Sequence, residues 1–240
     1  LFFFFLESEV VKNINLINVN ITADESTAGG IAESNEGKIE NCFVQGFVRK
    51  GSDLEINKIG GLVGRNYGKI ENSHFNGKIG AFKSVGGLAG VNEGIIEKSS
   101  AKGILVGDDE NGGLVGSNTG EIIECISNME VKDSGSYVGG IAGYSSGHIK
   151  NCIAAEDVNG RGYAVGGLVG SNTYEGEIIE SYAEGDVAGY RELVGGLTGI
   201  NNGLINMCFA TGNVKSENNA VGGLVGNNIG LIKNSYAAWN

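Results

Sequence analysis

The sequence has no proline and only two histidines among 240 residues. Proline has no N–H to donate to a β-ladder, so its absence fits a chain made largely of paired strands. His74 and His148 lie far apart, and neither has other potential ligands at a zinc-binding spacing. We therefore expect both to be ordinary surface residues and predict no zinc site.

Basic residues and long apolar runs are also scarce. The chain has 17 basic against 28 acidic residues and a net charge of -11. Nucleic-acid binding needs a basic surface, so this balance argues against DNA or RNA as a partner. No segment has the roughly eighteen consecutive apolar residues of a membrane-spanning helix. The sequence therefore predicts a solvent-facing protein without a membrane span in this segment.

Glycine is abundant, with 43 residues, and much of it is periodic. The pair Gly-Gly followed by Leu or Ile begins at 29, 60, 86, 112, 139, 166, 195 and 222, a spacing of 26–31 residues. A fixed period of this size predicts a stacked repeat array. We assign residues 29–240 to eight repeats that form one domain and residues 1–28 to an incomplete N-terminal rung or cap. The apolar run at 1–6 could instead be the tail of a signal peptide, and a chain opening on such a rung without methionine resembles a fragment or processed product.

The repeats align without gaps over the dozen positions that follow the glycine at 37, 68, 94, 120, 147, 176, 203 and 230. We number columns from this reference glycine. Column +2 is Ile in every repeat, column +5 is Cys or Ser, column +7 is small or apolar, and column +11 is aliphatic. The period of two between +5 and +11 indicates a strand.

The columns together predict an all-β fold. We expect a parallel β-solenoid, or β-helix, with about eight rungs and about three short strands in each 26–31-residue turn. One strand would pass through Gly-Gly-Leu-Val-Gly, one through columns +2 and +5, and one through column +11.

All four cysteines occupy column +5, at Cys42, Cys125, Cys152 and Cys208, and serine fills the other repeats. A position shared by Cys and Ser indicates an inward site that needs a small side chain. Side chains in register on adjacent parallel rungs keep their Cβ atoms farther apart than a relaxed disulfide prefers. We therefore predict free thiols.

An asparagine column precedes the reference glycine by two positions. Its members are Asn35, Asn66, Asn92, Asn118, Asn172, Asn201 and Asn228, with Ser145 in the remaining repeat. We expect a ladder in which each side-chain amide bonds to the next rung and stiffens the coil.

Column +6 lies between two columns assigned to the interior, so alternation predicts that its side chains point outward. We call it the outer stripe: Phe43, His74, Ser100, Ile126, Ile153, Tyr182, Phe209 and Tyr236. Its seven residues other than Ser100 are candidate contacts for a protein, a glycan or another copy of the chain. The alternative is that a bend near +5 reverses the phase, or that a flanking segment covers the stripe.

Carboxylates suggest two further sites. Column +10 carries Glu130, Asp157 and Asp186 on adjacent rungs, and paired carboxylates are what glycoside hydrolysis requires. An acidic exposed face explains the same residues without catalysis, so we predict no enzymatic activity. The run Asp108, Asp109 and Glu110 is a weak calcium candidate because oxygen ligands on loops suit that ion. We predict no other metal or cofactor.

The repeat resembles the GLUG motif family, whose glycine–leucine–any–glycine core is present as Gly61-Leu62-Val63-Gly64 and is followed by Asn66 and Gly68. The resemblance covers about residues 29–240, with departures at Glu33, where glycine is expected, and at Asn111, where an aliphatic residue is expected. Such repeats occur in large bacterial cell-surface and secreted proteins, including adhesins and the stalk regions of immunoglobulin A peptidases. The zinc motif of those peptidases is absent, so their activity does not carry over.

The resemblance implies an extracellular or cell-surface scaffold, and three hypotheses follow. The first is a noncatalytic adhesin or stalk module that binds a protein or glycan at the cell surface. The second is a structural subunit of an extracellular filament or surface layer that assembles end to end. The third is a β-helix carbohydrate-active enzyme that uses the acidic column.

Overall fold

The computed structural model describes residues 3–6, 9–23, 27–51, 58–133, 135–191, 193–217 and 220–238. Residues 1 and 2, at the start of the phenylalanine-rich run, lie outside the described residues. Within the described ranges the chain is all β, without a helix, and its strands pair in parallel from one rung to the next. The fold is therefore a parallel β-solenoid of about eight turns, as the sequence predicts.

The described strands form four parallel sheets along the rod. Sheet 1 contains Phe3–Leu6, Ala32–Asn35, Val63–Asn66, Ala89–Asn92, Val115–Asn118, Ala142–Ser145, Val169–Asn172, Thr198–Asn201 and Val225–Asn228. Sheet 2 contains Val10–Lys12, Lys38–Glu40, Lys69–Glu71, Ile95–Glu97, Glu121–Ile123, His148–Lys150, Glu177–Ile179, Leu204–Asn206 and Leu231–Lys233.

Sheet 3 contains Asn15–Ala23, Phe43–Lys50, His74–Gly80, Ser100–Gly107, Ile126–Asp133, Ile153–Ala154, Val158–Gly160, Tyr182–Ala183, Val187–Gly189, Phe209–Ala210, Val214–Ser216 and Tyr236–Ala237. Sheet 4 contains Thr27–Gly29, Lys58–Gly60, Lys83–Gly86, Asp109–Gly112, Val138–Gly139, Ala164–Gly166, Leu193–Gly195 and Val221–Gly222.

The prediction of about three strands per turn is wrong in its count, because each described rung crosses four sheets. The Gly-Gly pair lies at the end of a strand: the sheet 4 strand ends at Gly60, the first glycine of the pair, and the next sheet 1 strand begins at Val63. A Cβ atom on Gly61 would lie 2.3 Å from Cγ of Phe75 in column +7. The second glycine of the pair is thus the point where the turn packs directly on the opposite side of the core.

A second corner separates column +2 from column +5. The residue at +4 has a positive φ in all eight repeats, from 45° at Asn72 to 54° at Glu124 and Met207. A left-handed residue ends the short sheet 2 strand and turns the chain into sheet 3. Column +5 therefore lies at the corner, and columns +2 and +5 do not belong to one strand as the sequence predicts.

The core follows the predicted alternation. Columns +2, +5, +7 and +11 are buried throughout the first six repeats, whereas columns +8 and +10 are half-buried or exposed. The family departure Asn111 is also fully buried, and its Oδ1 accepts the Val85 N–H at 3.1 Å. Its side chain thus takes a backbone-capping role where an aliphatic residue is expected.

The asparagine ladder is confirmed. The Nδ2 of Asn66 donates to Oδ1 of Asn92 at 2.8 Å, and Asn92 donates in the same way to Asn118 at 2.8 Å. The same amide of Asn66 also donates to the Gly68 carbonyl at 3.2 Å. Each amide therefore joins two rungs and holds the turn before the reference glycine.

Candidate functional site

The outer stripe lies where the sequence predicts, on the outer face of the solenoid. Each of its residues is the first residue of a sheet 3 strand and follows the left-handed corner at +4. Its neighbours at +5 and +7 are buried in the first seven repeats, whereas the stripe is half-buried or exposed, reaching 58% exposure at Tyr236. The bend therefore precedes the strand and does not reverse its phase.

Three aromatic rings form a continuous stack at one end of the outer stripe. Tyr182 and Phe209 have ring centroids 4.5 Å apart and planes inclined by 9°, and Phe209 and Tyr236 are 5.4 Å apart and inclined by 11°. Parallel pairing places these residues directly over one another, so their rings stack along the rod axis. The result is an aromatic ridge that is partly open to solvent.

The other end of the stripe is more polar. Nδ1 of His74 lies 2.8 Å from Oγ of Ser100 on the next rung. Partial burial lowers the pKa of His74 below its usual value, so the imidazole is neutral at pH 7. Phe43 pairs in register with His74 and continues the stripe toward the first repeat.

The acidic column +10 is engaged with backbone. Oδ1 of Asp157 accepts the N–H of Asp186 at 2.8 Å, and Oδ1 of Asp186 accepts the N–H of Asn213 at 2.8 Å. In the rung that contains Asp186 the sheet 3 strand is divided into Tyr182–Ala183 and Val187–Gly189. Glu130 instead forms a 2.9 Å ion pair with Lys132. The two aspartates thus bond to backbone N–H groups of the following rung, and the glutamate forms a surface ion pair.

The calcium candidates are likewise used in local contacts. Oδ1 of Asp109 accepts the Ser136 N–H at 2.6 Å, and Oε2 of Glu110 accepts the Ser84 hydroxyl at 2.8 Å. Nearby Asp108 continues the run along the chain. No group of three or more His, Cys, Asp or Glu side chains in the described part of the chain is arranged to hold a metal. Calcium binding at these residues stays a prediction without geometric support.

All four cysteines are buried free thiols, as predicted. Serine in column +5 also forms hydrogen bonds, which the packing of a small side chain does not predict. Oγ of Ser73 donates to the Glu71 carbonyl at 2.8 Å and accepts the Cys42 N–H at 3.0 Å. Burial raises the pKa of the Cys152 thiol well above its usual value and that of Cys208 to about 11. These thiols are therefore poor nucleophiles.

A long groove lies at the corner between sheets 3 and 4, and the sequence columns did not reveal it. It encloses about 1330 Å³ and runs along the rod from Gly80 to Lys215. Its walls come from columns +12 and +14, just beyond the last column used for alignment. Column +13, which lies between the two walls, carries a partial signal: Ala81, Gly107, Gly160, Gly189 and Ser216 are small, whereas Lys50 and Asp133 are not.

The described residues contain no helix with the length and apolar character needed to cross a membrane.

Comparison with known families agrees with the repeat analysis. The family described as the GLUG motif matches residues 57–80, 134–159 and 161–188. No curated protein and no solved structure matches the chain significantly. Each matched region includes one Gly-Gly corner and one sheet 2 strand with its column +2 isoleucine, so the match follows the repeating unit of the fold. These three regions of the chain therefore match the GLUG motif, as the sequence resemblance predicts.

Proposed function

We propose that this chain is a noncatalytic extracellular scaffold, an adhesin or stalk segment that contacts a protein or glycan at the cell surface through the outer stripe. The stack of Tyr182, Phe209 and Tyr236 is the observation that carries this proposal. Aromatic rings give large contact areas at low entropic cost, and they are enriched at binding surfaces. A rod of GLUG repeats supports such a role because its stacked sheets hold the rings in fixed register.

The same geometry favours a scaffold over an enzyme. The carboxylates of Asp157 and Asp186 hold the turns of the following rungs, and their removal would disturb the coil. The stack of three rings on one face suits presentation of a surface. We infer that function lies in extended contact along the rod.

An adhesion assay tests the proposal. Beads coated with the chain would be applied to a panel of immobilised extracellular glycoproteins, beside beads carrying the triple variant Tyr182→Ala, Phe209→Ala and Tyr236→Ala. We expect the wild type to adhere to at least one surface and the triple variant to lose that adhesion.

A control pair is Tyr67→Ala with Tyr174→Ala, which removes two exposed aromatic residues away from the stripe. It should adhere like the wild type. Adhesion to no surface, or equal adhesion of the triple variant, would contradict the proposal. Beads that clump with each other while adhering to nothing would favour the filament hypothesis instead.

A further inference from the structure

The groove between sheets 3 and 4 is elongated, and its direction restricts what it can hold. Column +12 pairs in register through Gly80, Val106, Lys132, Asn159, Ala188 and Lys215. These are five rung steps of about 4.8 Å each, so the wall is roughly 24 Å long. A groove of this length along a rod suits an extended polymer rather than a compact ligand.

The floor of the groove is backbone because the corner excludes side chains. A Cβ atom on Gly189 would lie 2.2 Å from Cγ2 of Val194, and one on Gly160 would lie 2.5 Å from Cγ2 of Val165. The inner packing of sheets 3 and 4 therefore requires glycine at these corners. On the outer surface, these glycines leave an open channel between the side chains of columns +12 and +14.

The walls combine exposed apolar faces with positive charge. Phe82 is 45% exposed and Tyr190 is 50% exposed, and both line the groove. Lys132, Arg161 and Lys215 are exposed along the same channel. The groove lining has three cations and the two acids Asp108 and Glu217, so cations outnumber acids there, whereas acids outnumber cations in the whole chain.

Two of these cations are available to a ligand. Lys132 is held by Glu130 at 2.9 Å, whereas Arg161 and Lys215 form no ion pair with any described residue. An exposed guanidinium and an exposed ammonium in one channel are suited to carboxylate or sulfate groups. Arg161 and Lys215 thus offer two contacts for anionic groups of an occupant.

The backbone along the groove is already paired, which disfavours a peptide strand as the occupant. The N–H of Tyr190 donates to the Gly160 carbonyl at 3.1 Å, and that of Ala81 donates to the Val106 carbonyl at 3.2 Å. Peptides that add to a sheet need an unpaired strand edge. Aromatic faces and cations instead match the apolar faces and acidic groups of sugar rings.

We propose that this groove binds a linear acidic glycan, a polysaccharide strand with carboxylate-bearing sugars, lying along the rod axis. Its rings pack on Phe82 and Tyr190, and its carboxylates pair with Arg161 and Lys215. The site is separate from the outer stripe, so it is a second binding function of the rod.

Titration calorimetry with oligogalacturonates of increasing length tests this proposal. We expect affinity to increase with length up to the span of the groove and to fall as salt is added. The double variant Arg161→Ala and Lys215→Ala removes two charge-assisted contacts and should weaken binding by about tenfold or more. Tyr190→Ala should weaken binding of both long and short oligomers.

Matched controls are Lys102→Ala with Lys150→Ala, which remove two exposed cations from other surfaces, and the triple variant of the outer stripe. Both should bind oligogalacturonate like the wild type. The proposal is overturned if no oligogalacturonate binds, or if the control pair weakens binding as much as the groove pair. Equal affinity for polyglutamate would also overturn it, because that would show a general anion surface.

Discussion

Nδ2 of Asn118 donates to Oγ of Ser145 at 3.2 Å, and at this rung the amide ladder is interrupted. Serine has no amide to donate onward, so Oδ1 of Asn172 on the following rung is buried without a hydrogen-bond partner. Ladder bonds resume from Asn172 to Asn201 at 2.8 Å. The interruption is therefore a single missing donor in an otherwise repeating arrangement.

Restoring the donor should stabilise the rod. In the variant Ser145→Asn, the new amide can accept from Asn118 and donate to Asn172, as asparagine does at the equivalent position on other rungs. We expect the free energy of unfolding to rise by about 1 kcal/mol, the usual net value of one buried hydrogen bond. Urea denaturation followed by circular dichroism measures this change. Ser145→Ala is the control and should be less stable than the wild type. If Ser145→Asn is no more stable than the wild type, the missing hydrogen bond to Oδ1 of Asn172 does not cost the fold stability.

A buried hydroxyl gives a second prediction. Thr198 is fully buried in sheet 1, in register with Val169 and Val225, and its Oγ1 has no hydrogen-bond partner. Thr198→Val replaces the unpartnered hydroxyl with a methyl group of similar shape. We expect a gain of about 1 kcal/mol in the free energy of unfolding. Thr198→Ser keeps the hydroxyl and removes the methyl, so it should be destabilised, and a loss of stability in Thr198→Val would contradict the assignment.

The Gly-Gly corner should be intolerant of a single methyl group. A Cβ on Gly167 would lie 2.2 Å from the Gly196 carbonyl oxygen and 2.9 Å from Cβ of Ala183. We expect Gly167→Ala to lose about 3 kcal/mol of stability, or to abolish folding, because backbone on the adjacent rung must move. Gly80→Ala is the matched control, since the nearest atom to its Cβ is the Val106 carbonyl oxygen at 3.7 Å. Equal stability of the two variants would show that the corner is not close-packed.

Alkaline pH should weaken the fold through the buried thiols. Burial raises the pKa of Cys208 to about 11 from its ordinary value of 9.0, so between these pH values the thiol ionises only in the unfolded chain. The unfolded state then binds fewer protons, and stability present below pH 9 is lost as pH rises toward 11. A pKa raised to this extent corresponds to a loss of about 3 kcal/mol.

The variant Cys208→Ser isolates this contribution because serine occupies the same column in neighbouring rungs. Unfolding free energies of the wild type and the variant would be measured from pH 8 to pH 11. The wild type should lose more stability than the variant over the upper part of this range. Parallel curves for the two proteins would contradict a buried, neutral Cys208.

The sequence predicted those features that repeat as columns of one residue type. The asparagine ladder, the inward Cys and Ser column and the outward phase of the stripe follow from alignment, because parallel rungs place equivalent residues over one another. Corners were harder to predict. The left-handed residue at +4 is Lys98 or Met207 in some repeats, and neither residue type favours positive φ. Asparagine, which tolerates positive φ, fills this column at Asn41, Asn72, Asn151 and Asn234, so local sequence carries a signal for the corner in only half of the repeats.

The groove was missed for a related reason. Its walls at Phe82, Lys132, Arg161 and Tyr190 share no residue type, and only the small residues of its floor form a pattern. Those glycines are required by contacts inside the rod, and the channel outside is a consequence of the corner they form. A binding surface of this kind depends on three-dimensional placement more than on repetition.

Hydroxyl-radical footprinting of the rod, free and adhered to a glycoprotein surface, tests the central claim most directly. The method reports solvent access to each aromatic side chain, and Tyr174, which is 75% exposed and away from the stripe, is an internal reference. We expect Tyr182, Phe209 and Tyr236 to be protected from oxidation in the adhered state while Tyr174 remains reactive. Unchanged oxidation of these three residues in the adhered rod would contradict the claim that the outer stripe is its contact surface.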